Sequence, residues 1–191
     1  DRFVLDGKRL MSCSGAYGGN GSIYKTEIDE MSRIVSYSEG YNGPARFVIN
    51  KKDGTVWEYG GTEDSRLEPQ NRNDVVLKWL VNKISDLDGN TIVFNYIENQ
   101  ATGESYINKI DYTLNEKAGI FSMYEVQFDY DDREDAESGY VYTNLVQNKK
   151  ILKKIVITNM MSGAVLYDYS FSYLEPGNYS TEQFMYHRLS N

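Results

Sequence analysis

The feature that most constrains this chain is a recurring Asp-Gly turn flanked by β-forming residues. Residues 79–96, WLVNKISDLDGNTIVFNY, predict two strands joined at the Asp-Gly pair 88–89. Both positions can adopt the positive φ angles that a primed hairpin turn requires, and the flanks are β-branched or aromatic. The same phrase returns at residues 53–54 and, in weaker form, at 6–7. The sequence therefore predicts a series of antiparallel β-hairpins.

A two-residue period of apolar side chains extends this pattern into the second half of the chain. After the turn at 88–89, Ile92, Phe94 and Tyr96 fall on one face of a strand. Apolar residues then alternate with acidic or amide residues along 124–131, which predicts an amphipathic strand with one side facing solvent. Residues 152–158 and 165–173 predict a last hairpin around 161–163, with four aromatic side chains on one face: Tyr167, Tyr169, Phe171 and Tyr173.

The remaining segments are assigned from composition and from breaks in the period. The sequence predicts a short hairpin over residues 2–12, paired strands at 23–28 with 33–37 and at 45–50 with 55–59, and a strand at 105–114. The glycine-rich segment 15–22 predicts a flexible loop. Residues 60–73 are polar, contain Pro69 and predict a long surface loop. Residues 144–154 are the best candidate for a helix.

Length and composition favour an all-β fold. A chain of 191 residues can form one all-β domain, and 17 Tyr and 7 Phe with only 3 Pro suit strands. We expect consecutive antiparallel hairpins that form a curved, shell-like or sandwich-like sheet over residues 1–175. Residues 176–191 lack a period and are expected to be a tail leading toward a missing C-terminal region. Because the chain starts at Asp1 and not at Met, we expect an excised fragment.

The charge and the residue inventory argue against several classes of function. The net charge of −8 repels phosphate backbones, so nucleic acid is not an expected partner. A single cysteine, Cys13, excludes an internal disulfide and a multi-cysteine metal cluster. No apolar run approaches the roughly 20 residues of a membrane helix, and no signal peptide opens the chain. The loop at 15–22 lacks the Gly-Lys-Ser/Thr of a phosphate loop, and no cofactor is expected.

No residue pattern marks a catalytic centre. His187 is the only histidine, which excludes a histidine-rich metal site, and no Gly-x-Ser-x-Gly turn presents a hydrolase nucleophile. The acidic run at 129–137 could attract calcium, but its spacing does not match an EF-hand, and a solvated acidic loop is the favoured interpretation. A carboxylate pair for sugar hydrolysis depends on spacing in the fold, and nothing in the sequence marks one.

The aromatic side chains allow two interpretations. Trp57, Tyr59 and Trp79 could stack on sugar rings from an exposed sheet face, or they could pack in a core or between sheets. Packing is the favoured interpretation, since a fully buried aromatic side chain contributes about 1.5–3 kcal/mol. These three residues are the candidate binding or packing surface.

Eight phrases, in this order and spacing, resemble one known family. They are FVLDG at 3–7, SRI at 32–34, FVINKKDG at 47–54, YG at 59–60, SRL at 65–67, WLVNKISD at 79–86, DGNTI at 88–92 and IDYT at 110–113. Together they resemble the N-terminal region of SpvB-type virulence proteins and of the Tc-toxin B component, which belong with the Rhs/YD-repeat proteins. The resemblance covers most of residues 3–173.

The resemblance implies a non-enzymatic structural module of a large secreted or cell-surface toxin-type protein. In the family, such hairpins build a shell that encloses or carries a separate toxic C-terminal domain. The implied partners are adjacent domains or repeats of the parent protein and toxin-complex subunits. Some relatives carry an ADP-ribosyltransferase with a Glu-x-Glu pair, a triplet that is absent from this chain. The alternatives are a module that binds carbohydrate or a cell surface through exposed Trp and Tyr and, ranked last, a hydrolase.

Overall fold

A computed structural model describes residues 2–141, 143–174 and 188–189, and almost all of the regular structure in this part of the chain is β. The strands in chain order are β1 (Val4–Leu5), β2 (Lys8–Ser14), β3 (Ile23–Thr26), β4 (Arg33–Tyr37), β5 (Arg46–Asn50), β6 (Val56–Tyr59), β7 (Arg66–Leu67), β8 (Lys78–Trp79), β9 (Val81–Ser85), β10 (Thr91–Asn99), β11 (Glu104–Leu114), β12 (Tyr124–Val141), β13 (Asn144–Asn159), β14 (Ala164–Ser170), β15 (Tyr173–Leu174) and β16 (Arg188–Leu189). The all-β prediction is confirmed.

Twelve of these strands form one antiparallel sheet that does not close on itself. Its order is β1-β2-β3-β4-β5-β6-β9-β10-β11-β12-β13-β14, so almost every strand pairs with the next one along the chain. Two short pairs lie outside it, β7 with β8 and β15 with β16. The predicted consecutive hairpins are confirmed, because local pairing of neighbouring strands is what repeated tight turns impose.

At the Asp-Gly pair 88–89, the strongest hairpin signal in the sequence, the turn is not the primed turn that the sequence predicted. At 88–89 only Gly89 has a positive φ, of 89°, and the N–H of Gly89 donates to the carbonyl of Asp86 at 3.2 Å. Asp86 N–H then donates to the carbonyl of Asn90 at 3.0 Å, which is a type I turn followed by a left-handed glycine. The Asp-Gly pair at 6–7, which carried the weaker signal, adopts the primed turn, with positive φ at both Asp6 and Gly7.

Three segments depart from the sequence prediction. The loop at 60–73 contains a 3-10 turn at Glu63–Ser65 and the strand β7. Residues 144–154, the helix candidate, belong to the strand β13, because their backbone pairs with β12 along most of this length and, at Lys154, also with β14. The glycine-rich segment 15–22 is fixed by hydrogen bonds, including Gly18 N–H to the Tyr24 hydroxyl at 2.7 Å.

The hydrophobic core lies against the N-terminal half of the sheet. Its buried members are Leu10, Tyr24, Ile34, Phe47 and Ile49, and the half-buried side chains packed on them are Phe3, Leu5, Trp57, Tyr59 and Trp79. The rings of Phe3, Phe47 and Trp79 meet edge to face with centroids 5.1–5.6 Å apart. Burial of these side chains holds β1 to β6 and the β7–β8 pair together.

Candidate functional site

The C-terminal half of the sheet carries a row of apolar side chains across five strands. Residues directly opposite each other in an antiparallel ladder share a face. The register pairs Phe94 with Ile110, Ile110 with Val126, Val126 with Ile157 and Ile157 with Tyr167. A second row joins Phe128, Ile155 and Tyr169. We call these eight residues the uncovered apolar face.

No second layer buries this face within the part of the chain that the structure describes. The buried hydrophobic side chains run from Leu10 to Val76, and none belongs to β10, β11, β12, β13 or β14. The inner members of the face are half-buried by their neighbours, whereas Tyr167 and Tyr169 are 59% and 51% exposed. A contiguous, partly exposed apolar surface of this kind is typical of an interaction site.

The opposite face of the same strands is charged and internally paired. Lys109 lies between Asp111 and Glu125 at 3.2 and 3.1 Å, and Lys154 contacts Asp168 at 2.7 Å. Burial lowers the pKa of Lys109, but the hydrogen bonds to Glu125 and Asp111 outweigh it, so its pKa lies above the ordinary value. This face can be solvated, so the sheet has one charged face and one apolar face.

The strand β14 forms the free edge of the sheet among the described residues. All seven of its residues are exposed, and the rings of Tyr167 and Tyr169 stack with centroids 6.4 Å apart. Phe171 N–H donates to the carbonyl of Lys153 at 2.9 Å, so the alternation of the ladder turns the backbone groups of Asp168 and Ser170 away from β13. An edge with unpaired N–H and C=O groups can accept another strand.

The three aromatic residues singled out in the sequence lie together on the core side of the N-terminal half. Tyr59 and Trp57 stand opposite Phe47 and Ile49 in the ladder, and Trp79 Nε1 donates to the carbonyl of Pro44 at 3.1 Å. Burial, and then the charge of Asp6, raises the pKa of Tyr59 to about 12. Their position favours packing, and stacking on sugars by these rings stays a prediction.

The acidic run at 129–137 is part of a strand and not a loop. It continues β12, and the strand β13 supplies cations to it: Lys153 contacts Asp131 at 3.0 Å and Lys150 contacts Asp132 at 2.8 Å. Arg133 pairs with Asp135 from within the run at 2.7 Å. Among the described residues no group of three or more acidic, histidine or cysteine side chains could hold a metal ion.

Two further residues raised by the sequence have no role in this surface. Cys13 is exposed, and its thiol contacts the carbonyl of Met11 at 3.8 Å. His187 lies outside the residues that the structure describes. None of the helices among the described residues combines the length and hydropathy needed to cross a membrane.

The position of the uncovered apolar face across five strands was not predicted, although the apolar side of single strands was. The alternation in β12 and β14 predicted an apolar side for each strand. The register between strands decides whether those apolar sides align on one face. The register depends on bulges between Asp129 and Tyr130 and between Ile157 and Thr158, which the local sequence pattern does not predict.

Comparison with known proteins finds a matching family and solved structures with this architecture. The family model described as Salmonella virulence plasmid 65kDa B protein, SpvB, matches residues 22–170 of the 191. Among solved structures, the N-terminal domain of effector protein SpvB from Salmonella typhimurium strain LT2 has a TM-score of 0.73 at 15% identity. That match covers 89% of this chain and 75% of the other. Among curated proteins, none matches the sequence.

Toxin-complex structures share the fold as well. The crystal structure of TcdB2-TccC3-Cdc42 matches with a TM-score of 0.75 at 15% identity, over 90% of this chain. The Tc holotoxin pore of Photorhabdus luminescens matches at 0.69 and 15% identity, over 87%. In both cases this chain spans only 11% of the longer chain.

A large open antiparallel sheet with one apolar and one charged face defines the class of protein, an all-β module. The chain belongs to the SpvB family, as the family model and the sequence resemblance agree.

Proposed function

We propose that this chain is a non-enzymatic scaffold module of a larger, secreted toxin-type protein. Its uncovered apolar face packs against neighbouring β-structure of that protein, and a strand of that structure pairs with the free edge of β14. The observation that carries the proposal is the absence of a buried apolar side chain in β10 to β14 of the described chain. A sheet that exposes Tyr167 and Tyr169 beside half-buried Ile155 and Ile157 gains about 25 cal/mol for each Å² of apolar surface that a neighbour covers.

The relatives support a role within a larger assembly. One is the N-terminal domain of an effector protein, and others are toxin-complex structures in which the matching region is about a tenth of the chain. We propose that this module likewise accompanies further β-structure and a C-terminal effector, with toxin-complex subunits as partners. Family membership and these relatives support secretion as its destination.

A pair of lysine substitutions on β14 tests the packing. Tyr169→Lys places a charge on the uncovered apolar face, and Ser170→Lys places the same charge on the opposite face of the same strand. In the isolated chain both sites are exposed, so each variant should change the free energy of unfolding by less than about 0.5 kcal/mol. In the full-length gene product, Tyr169→Lys should cost about 1.5–3 kcal/mol, the value of a buried aromatic side chain.

Chemical denaturation of both variants and of the unsubstituted protein, each as the isolated chain and as the full-length product, provides the measurement. The proposal predicts that Ser170→Lys stays near neutral in both lengths and that Tyr169→Lys is costly only in the longer one. Equal, small effects of both variants in the full-length product would show that nothing packs on this face.

A further inference from the structure

A groove opens where two long strands of the sheet separate. The ladder between β11 and β12 runs from Tyr112 opposite Tyr124 to Lys109 opposite Gln127, and no further pair is formed. Beyond that point the Tyr130 hydroxyl donates to the carbonyl of Ile107 at 2.7 Å, so a side chain replaces the missing ladder contact. Register shifts flank the opening on both sides, next to Asn95 in β10 and next to Asp129 in β12. Bulges of this kind re-aim side chains beside binding sites.

The groove has a volume of about 340 Å³ and a mixed lining. Its apolar wall includes the rings of Tyr106 and Tyr130, whose centroids lie 5.3 Å apart at an interplanar angle of 47°. Its polar wall consists of Asn99, Glu104, Asn108, Gln127, Asp129 and Lys150. The size falls in the range of about 300–1,000 Å³ that small-molecule sites occupy.

The polar wall divides into groups that are already engaged and groups that are free for a ligand. Glu104 accepts hydrogen bonds from the Tyr106 hydroxyl at 2.8 Å and from Lys149 N–H at 2.9 Å. Burial raises the pKa of Glu104, but these bonds and the one from Thr102 outweigh it and hold the pKa below its ordinary value. The side chain of Glu104 is therefore an ionised support for the Tyr106 ring.

The free groups include both donors and acceptors. The Asn99 side-chain oxygen accepts a hydrogen bond from Ala101 N–H, and the Asn108 side-chain oxygen accepts one from Gln127 Nε2. Within the described chain, neither amide nitrogen donates a hydrogen bond. The carboxylate of Asp129 is exposed and has no ion-pair partner among the described residues, whereas Lys150 is paired with Asp132. Carboxylates of Glu104 and Asp129 beside one paired lysine disfavour an anion.

We infer that this groove binds a neutral sugar ring. Donors and acceptors along one wall match the hydroxyl groups of a pyranose, and the faces of the two tyrosine rings match its C–H surface. A cation would use the carboxylate and the rings but would leave both asparagine amides without acceptors. This site is separate from Trp57, Tyr59 and Trp79. It borders the uncovered apolar face at Phe128, which also lines the groove, but the polar groups that would bind the sugar lie outside that face.

Saturation-transfer NMR and calorimetric titration of the chain test the inference with four probes. They are the methyl glycosides of glucose, galactose, mannose and N-acetylglucosamine, with inorganic phosphate and spermidine as charged comparisons. At least one glycoside should bind, and in two-dimensional protein NMR spectra recorded during the same titration the chemical-shift changes should centre on β11 and β12. Binding of phosphate or spermidine in preference to every glycoside would overturn the inference, as would no binding of any glycoside.

Variants of the two walls complete the test. Asp129→Ala and Asn99→Ala should each weaken the bound glycoside at least tenfold, and Asp131→Ala, an exposed acidic control on the same strand outside the groove, should change affinity less than twofold. Tyr106→Phe should retain binding and Tyr106→Ala should lose it. Both Tyr106 variants remove the hydroxyl that donates to Glu104 and accepts from Lys149 N–H, so the Asp129 and Asn99 variants decide the outcome if either Tyr106 variant fails to fold. Equal affinity of the Asp129 and Asp131 variants would place the sugar elsewhere and contradict the inference.

Discussion

Replacing Phe47 with alanine is expected to lower the free energy of unfolding by about 3–5 kcal/mol, the range for a large-to-small change at a buried phenylalanine. Phe47 is 6% exposed and packs edge to face against Phe3, Tyr24 and Trp79. These contacts join Phe3, the residue before β1, to β3, β5 and β8, so the cavity would open at the point where four segments of the fold meet. Urea denaturation followed by tryptophan fluorescence measures the change, since Trp79 lies in the same cluster.

Phe121→Ala is the matched control for this prediction. Phe121 lies in the connection between β11 and β12 and is 85% exposed, so its removal should change the free energy of unfolding by less than about 0.5 kcal/mol. Similar losses for the two variants would mean that the core is not where the structure places it.

Replacing Gly60 with alanine is expected to cost about 2–5 kcal/mol, from backbone strain and a steric clash acting together. Gly60 has φ of +72°, and an added Cβ would lie 2.6 Å from the carbonyl oxygen of Ala45 and 2.6 Å from Cδ1 of Trp79. The backbone of Gly60 also accepts a hydrogen bond from Arg66 Nε at 2.7 Å, so the chain cannot move away freely. Thermal and urea denaturation measure the loss.

Gly21→Ala separates the two causes. Gly21 has φ of +74°, and an added Cβ would meet nothing within 4 Å. It should therefore cost only the strain of a left-handed residue, about 1–2 kcal/mol. If the two alanine variants are equally destabilised, the close approach of Gly60 to Ala45 and Trp79 is not a constraint on the fold.

Local sequence patterns predicted the pairing of strands because the information lies within each hairpin. The alternation of apolar residues around 53–54, 88–89 and 161–163 predicted β5–β6, β9–β10 and β13–β14, and all three pairs form. The type of turn could not be predicted, because Asp-Gly fits both a primed turn and a type I turn with a left-handed glycine. Flanking hydrogen bonds such as that between Asp86 and Asn90 decide between them.

Features that depend on distant contacts escaped prediction. Residues 144–154 contain lysines and isolated apolar residues that suit a surface helix, but pairing with β12 along the segment outweighs that local preference. The short pair of β7 with β8 inside the expected loop is held by Leu80 N–H donating to the carbonyl of Ser65 at 2.8 Å, across fifteen residues. The groove between β11 and β12 depends on the residue at which the pairing of these two strands ends, and the composition of the strands does not predict that residue.

Residue-resolved hydrogen exchange on β14 tests the central claim most directly. That claim is that neighbouring β-structure of the parent protein continues this sheet, by pairing with the free edge of β14 and covering the uncovered apolar face. In the isolated chain, the amides of Asp168 and Ser170 face the free edge and should exchange fast, while those of Tyr167 and Tyr169 face β13 and should exchange more slowly. In the full-length gene product, the account predicts that exchange at Asp168 and Ser170 slows at least tenfold. Equally fast exchange at these two amides in both proteins would contradict it.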